Sequence, residues 1–210
     1  MNDGGEVVIG PNRTAYRIYE LVLKTAQTDR NVLIAGESGT GKELLARAIY
    51  RNSPRKAGPF VTVDCGGPDP ALLESELFGA ARGAFPDAAA KCGKLELADG
   101  GTIFFDEIAN LGVECQARLL RAMQEREVAG AGGNRVLKFA ARIIAATSKD
   151  LGLALKTGWF SEDLFRRLNT VNVRMPPLRE RREDIPVLVD TATGPGFLGI
   201  FREVKGCDIC

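Results

Sequence analysis

The chain has 210 residues, enough for one large domain with a sizeable core, since 45% of them are apolar. Lys and Arg number 28 against 27 for Asp and Glu, a net charge of +1, which excludes both the broad basic field of a nucleic-acid binder and a polybasic membrane patch. With no signal peptide, no apolar run long enough to cross a bilayer, and five scattered cysteines without any histidine, the sequence reads as a reduced, cytoplasmic protein with no membrane contact.

Short apolar runs alternate with helical patterns along the chain. "NVLIAG" (31–36) reads as the first buried strand. "KELLARAIYR" follows as a helix with Leu44, Leu45, Ala48 and Ile49 on one face. "PFVTVDC" (59–65) is a second strand, and "DPALLESELF" a helix capped by Asp69 with Pro70 at its first position. Gly and Ala crowd residues 79–94, which read as an insertion or mobile loop. "GTIFFDE" (101–107) is a third strand, and "ECQARLLRAMQERE" a helix that places Leu119, Leu120 and Met123 together. A turn is expected at "AGAGGN" (129–134), then strands at "RIIAAT" (142–147) and "TVNVRM" (170–175). Nearly continuous apolar strands alternating with helices predict an α/β fold, a parallel sheet covered on both faces. After "PPLRERREDI" (176–185) the pattern fades. The expected division is residues 1–190 as the α/β unit and 191–210 as an atypical tail. "CDIC" at Cys207 and Cys210 has the spacing of a metal-ligand pair, but no second pair completes a zinc site.

"GESGTGKE" carries the chemistry. Gly36, four residues, Gly41 and Lys42 follow a buried strand and open a helix, the context in which a glycine-rich loop cradles phosphate. Backbone N–H groups of Gly36, Glu37, Ser38, Gly39, Thr40 and Gly41 can turn inward, and the helix N-terminus adds partial positive charge. Lys42 would reach the β- and γ-phosphates. Glu43 stands where such loops usually place a hydroxyl for magnesium. It can hold the water shell of Mg²⁺, or simply favour the first helical turn electrostatically. The second element is the strand end "TIFFDE". Asp106 can hold Mg²⁺ and Glu107 can polarise an attacking water.

Together these motifs resemble the AAA+ ATPase domain of the sigma-54-dependent transcription activators, the bacterial enhancer-binding proteins. The resemblance runs from residue 8 to about 189 and rests on "GESGTGKELLARAIY", "LLESELFG", "GAF", "LADGGTIFFDEI", "QARLLRAMQEREV", "RIIAATSKDL", "EDLFRRLN" and "PPLRERREDI". Glu43 is usual at its place in that family. The resemblance implies a P-loop NTPase core, ATP and Mg²⁺ as cofactors, and a ring, commonly a hexamer, with ATP at subunit boundaries. It implies hydrolysis that remodels RNA polymerase bound to the sigma-54 factor. Ser148 would stand at the γ-phosphate sensor, and Arg167 would match an arginine reaching a neighbour's nucleotide.

The departures are specific. The polymerase-contacting loop, usually GAFTGA, is here Gly83, Ala84, Phe85, Pro86, Asp87 and Ala88, and both changes oppose rearrangement of that loop. A second trans-acting arginine is replaced by Ser161, which also suits an N-cap. Arg166 is a possible substitute. Asp64 replaces an asparagine that restrains the catalytic glutamate, and a carboxylate there would raise a neighbour's pKa if both were buried. The family's helical lid is expected to be missing, because about 25 residues follow "PPLRERREDI" and do not resemble it. DNA contact is expected only through a segment this sequence lacks. A degenerate, non-hydrolysing nucleotide-binding or oligomerisation module is the alternative expectation.

Overall fold

The structure is a computed structural model and describes residues 13–67, 69–79, 92–129, 136–186 and 188–189. Its elements run α1 (Arg13–Ala26), β1 (Val32–Ala35), α2 (Lys42–Arg51), β2 (Phe60–Asp64), α3 (Pro70–Phe78), α4 (Lys94–Leu97), β3 (Thr102–Asp106), α5 (Val113–Glu125), β4 (Glu127–Ala129), β5 (Val136–Lys138), β6 (Arg142–Thr147), α6 (Leu151–Lys156), α7 (Glu162–Leu168) and β7 (Val171–Arg174). The five strands expected from the sequence form one sheet in the order β2-β3-β6-β1-β7. Every neighbouring pair in it is parallel.

Alternation along the strands explains why their sequences look continuously apolar. Leu33, Ile103, Phe105, Ile143 and Ala145 face one core, which α3, α5 and α7 cover with Leu77, Leu119 and Leu164. Val32, Ile34, Phe104, Ile144 and Ala146 face the other core, covered by Val22 of α1 and by Leu45 and Ile49 of α2. Each of these large side chains, fully removed from water, contributes roughly 1.5–3 kcal/mol. The result is a three-layer α/β/α sandwich, as expected.

Two local expectations hold in detail. Asp69 caps α3, its side chain accepting the N–H of Ala71, with Pro70 at the first helical position. Ser161 caps α7 by accepting the N–H of Leu164. One expectation fails: Leu44 does not join the apolar face of α2 but is 42% exposed, while Leu45, Ala48 and Ile49 are buried. Adjacent residues sit about 100° apart on a helix, so the stripe set by Leu45, Ala48 and Ile49 turns Leu44 outward. Helix α1 and the antiparallel pair β4–β5 were not foreseen. The strands β4 and β5 flank the stretch expected to turn; residues 130–135, like the 83–88 loop and Cys207 and Cys210 of the tail, lie outside the described residues.

The tie between α1 and the sheet is a buried arginine. Arg142, 2% exposed, opens β6. Its guanidinium donates to the carbonyls of Thr25, Ala26 and Arg30 at 2.9, 3.1 and 3.2 Å. It thereby ties the last carbonyls of α1 and the turn that follows it to the start of β6.

The Ser161 cap gives a test of this local physics. Ser161→Ala should cost about 1 kcal/mol in urea denaturation, and Ser161→Asp should recover most of it, because a side-chain acceptor at the N-cap is worth about that much. Equal stability of all three proteins would show that the cap is idle.

Candidate functional site

The carboxyl edge of the parallel sheet gathers the candidate residues. Residues 36–41 leave β1 and turn into α2. The loop can follow this path because Gly39 and Gly41 adopt φ of 75° and 91°, where side chains are disfavoured. Gly36 is needed for closeness rather than twist: a Cβ there would lie 2.8 Å from the Cβ of Met175. Its N–H donates to the Thr147 carbonyl of β6 at 3.1 Å. The Thr40 hydroxyl donates to the Glu37 carbonyl at 2.7 Å, stiffening the turn. Ser38 and Gly39 are exposed at its outer side. The N-cap of α2, Gly41, offers no side-chain acceptor, so the first-turn N–H groups stay open to an anion from outside.

Lys42 is only 7% exposed. Its ammonium donates to the carbonyls of Gly36 and Glu37 at 3.0 and 3.2 Å and lies 3.3 Å from Glu107 Oε1. Glu107 follows β3 with φ 51° and ψ 47°, left-handed backbone that costs about 1–3 kcal/mol in a residue with a side chain. Its other oxygen, Oε2, accepts the Ser148 N–H at 2.9 Å and the Ser148 hydroxyl at 2.8 Å. The structure therefore brings together Lys42, Glu107 and Ser148, from three separate parts of the sequence. Asp106 lies beside them, its Oδ1 accepting the N–H of Glu107 at 3.0 Å.

The two carboxyls titrate in opposite directions. Burial pushes Asp106 up, and the Glu107 charge adds to that. Burial also opposes ionisation of Glu107, but the two Ser148 hydrogen bonds and the Lys42 charge outweigh it and hold its pKa down. Glu107 is thus kept ionised and oriented. Asp64 stands opposite Asp106 in the strand register, is exposed, and turns its carboxylate onto the Gly66 N–H at 2.7 Å. Its push on Asp106 is the smallest contribution, so the expected effect of this carboxylate is present but minor, because Asp64 is exposed and Asp106 only half-buried.

Among the described residues no three acidic, histidine or cysteine side chains converge to hold a metal unaided. A hard cation bound through phosphates needs only one or two carboxylates and keeps several waters, so Asp106 fits such an ion. Glu43 points elsewhere: both Nε and Nη2 of Arg47 donate to its Oε1, at 3.0 and 2.8 Å, on the exposed side of α2.

Two attachments to the loop were invisible in the sequence. Arg179 grips the Glu37 carboxylate with two hydrogen bonds of 2.7 and 2.6 Å. Arg181 donates to the Thr40 carbonyl at 2.8 Å. The charged run after β7 was the available signal, but its partners lie more than 140 positions away. Arg167 is not brought to this edge. Its carbonyl accepts from Asn31 at 2.9 Å, and the residue lines a cavity at the opposite, amino-terminal edge, with Thr170 and Arg142. Arg166 pairs with Glu162 one turn away at 2.6 Å.

A family model described as the Sigma-54 interaction domain matches residues 8–174. The Nif-specific regulatory protein of Herbaspirillum seropedicae is 48% identical over 184 residues, covering 87% of this chain and 34% of that protein. The DNA-binding transcriptional regulator NtrC of Bradyrhizobium sp. (strain RP501 Parasponia) is 48% identical over 183 residues, covering 87% of this chain and 38% of that one. The chain thus spans little more than a third of the length of these relatives. Crystal structures of NtrX from Brucella abortus in complex with ADP and with ATP superpose with TM-scores of 0.83 and 0.82 at 39% and 38% identity. They match 90% and 88% of this chain, and 41% and 40% of theirs.

The raised pKa of Asp106 makes its charge a cost in the ligand-free protein. That cost is present above the folded-state pKa and vanishes below the ordinary value of 3.8. Asp106→Asn should therefore raise the melting temperature at pH 7 by roughly 1–2 °C, a small gain because solvent screens a half-buried group. The gain should shrink as the pH falls toward 4, and a lower melting temperature for the variant at pH 7 would contradict the assignment.

Proposed function

The chain belongs to the Sigma-54 interaction domain family, and from that membership we propose that it is the ATP-driven AAA+ module of a sigma-54-dependent transcription activator. In this reading Gly36 to Glu43 hold Mg-ATP, and hydrolysis to ADP and phosphate drives remodelling of RNA polymerase bound to sigma-54. One observation carries the proposal: a buried lysine at a glycine-rich helix start lies 3.3 Å from an ionised glutamate presented by the neighbouring acidic strand end. The relatives named as transcriptional regulators, and the NtrX structures with ADP and ATP, support it.

The residues divide the work as follows. The loop amides and the open N-terminus of α2 bind phosphate oxygens. Lys42 exchanges its carbonyl partners for the β- and γ-phosphates. Asp106 is the carboxylate that would hold the metal's water shell, whereas Glu43 is engaged by Arg47. Mg²⁺, when bound, neutralises charge on the phosphate oxygens. Glu107 accepts a proton from the attacking water at Oε2 or Oε1, its carboxylate oriented by Ser148. In this reading Arg167 acts on a nucleotide held by a second copy in a homo-oligomeric ring, a role consistent with its distance from its own Lys42 at the other edge of the sheet. The loop 83–88 is the proposed contact to sigma-54 polymerase, weakened by Pro86 and Asp87.

A second reading, a nucleotide-binding module without turnover, is favoured by one feature. Ser161 makes an ordinary N-cap where an arginine would reach across to a neighbour.

Lys42→Ala should weaken ATP binding about 10–100-fold by calorimetry, the worth of losing charge-assisted hydrogen bonds to phosphate. Binding as tight as in the parent would overturn the site. Glu107→Gln should keep ATP affinity and abolish phosphate release. Release that persists in this variant would remove Glu107 from its role, while tight binding with no turnover in the parent would select the second reading. Arg167→Ala should lower kcat by ~10³-fold with ATP affinity kept, and turnover per chain should climb steeply with protein concentration. Turnover independent of concentration would argue against shared sites.

A further inference from the structure

A single buried amide joins the turn after β3 to the segment that leads into α7. Gln116, in α5, is 1% exposed. Its Nε2 donates to the carbonyls of Leu111 and Trp159 at 2.8 and 3.0 Å, and its Oε1 accepts the Ser161 N–H at 2.8 Å. Two carbonyls and one N–H face the amide, so one orientation satisfies every partner and the flipped one sets oxygen against oxygen. The Trp159 side chain adds a second tie, its indole N–H donating to the Ala109 carbonyl at 3.1 Å. Residues 109–111 and 159–161 are thereby held together, although Ala109 and Trp159 are 50 positions apart in sequence.

Each segment continues into a part of the molecule that carries charged chemistry. The first starts at Glu107, whose carbonyl accepts the Asn110 N–H at 2.9 Å. Glu107 has left-handed backbone, with φ 51°, and its carboxylate stands between Lys42 and Ser148. Strain of that kind persists only while the surroundings enforce it. The second segment ends at Ser161, the cap of α7, and α7 carries Arg167 in its last turn. A buried amide costs free energy unless its polar groups are paired. Gln116 meets that condition only while the two segments keep their present spacing. A shift of the first must therefore move the second or break bonds at the amide.

We infer that Gln116, with the Trp159 indole, is a positioning residue that transmits occupancy of the Lys42–Glu107 site to the cap of α7. When Lys42 turns its ammonium to a triphosphate, its pull on Glu107 weakens and the force on the turn after it changes. The amide passes that displacement to Trp159 and Ser161. The inference rests on the nucleotide binding proposed above, not on hydrolysis. Trp159 is the only tryptophan of the chain, so its fluorescence reports the link directly. The protein is titrated with Mg²⁺ and the non-hydrolysable β,γ-imido analogue of ATP, by calorimetry and by tryptophan emission in parallel. The emission should change saturably with the calorimetric midpoint, and Lys42→Ala should move both midpoints together. Gln116→Met keeps the side-chain length and removes all three bonds. It should abolish the emission change while the analogue still binds; a merely structural role predicts a lower melting temperature with the emission change intact. Should that variant fail to fold, hydrogen exchange of the Ser161 amide in the parent decides. Its rate should shift by roughly 2–30-fold on binding, the usual size of such coupling. Binding that leaves both the Trp159 emission and the Ser161 exchange unchanged overturns the link and leaves the nucleotide site standing. An emission change as large in Gln116→Met as in the parent overturns it too. No calorimetric binding removes the nucleotide site, and the link with it.

Discussion

The contact of Lys42 with Glu107 at 3.3 Å ties the loop after β1 to the acidic end of β3. A lysine with 7% exposure survives only with partners, and it has three: two loop carbonyls and this carboxylate. The strand between them, β6, supplies the third corner through Ser148. Three adjacent strands thus each deliver one piece to the same edge, which only a parallel sheet does, because all its carboxyl ends point one way. Register makes the arrangement demanding. A slip of β6 by one residue would bury Arg142's neighbours on the wrong face and withdraw Ser148 from Glu107.

The carboxylates at this edge act against one another. Asp64 and Asp106 face each other across β2 and β3, and Glu107 follows directly. Lys42 answers one of these charges. Ser148 adds neutral dipoles to the same Glu107 carboxylate. Asp106 is left with the unfavourable position and the raised pKa. A site whose ionised form is held at a cost is one that gains from a cation, which supports assigning the metal's place to Asp106 rather than to Glu43, whose charge Arg47 already balances. The same balance separates Asp64 from any grip on Glu107: its carboxylate is spent on the turn at Gly66, and Ser148 does the orienting.

Much of this was legible in the sequence, for physical reasons that also mark where legibility ended. Strands buried on both faces must be apolar throughout, so β1, β3 and β6 could be read directly, and the half-exposed edge strands β2 and β7 by their alternation. Caps are decided within four residues, and Asp69 and Ser161 were therefore visible. The loop could be read because glycine tolerates its backbone and lysine its anion. Helix α1 went unread although Ile18, Val22 and Ala26 recur at helical spacing, and Leu44 was misplaced because a hydrophobic residue beside a stripe looks like part of it. Non-local pairs left no trace. Arg142 on the carbonyls of α1, Arg179 on Glu37 and Arg181 on Thr40 join positions more than a hundred residues apart. No rule of spacing reports such contacts; they exist only once the sheet has formed.

The sheet that unites Lys42 with Glu107 also separates them from Arg167. Asn31, Arg142 and Thr170, at the starts of β1, β6 and β7, share their edge with Arg167. The loop and acidic pair stand at the ends of the same strands. A rigid strand cannot fold back on itself, so no rotamer of Arg167, with a reach of about two strand residues, crosses the span of β6 to its own phosphate loop. If that arginine is to meet a phosphate, the phosphate must come from elsewhere. The fold thereby places the acidic pair at one edge of the sheet and a group of arginines at the other.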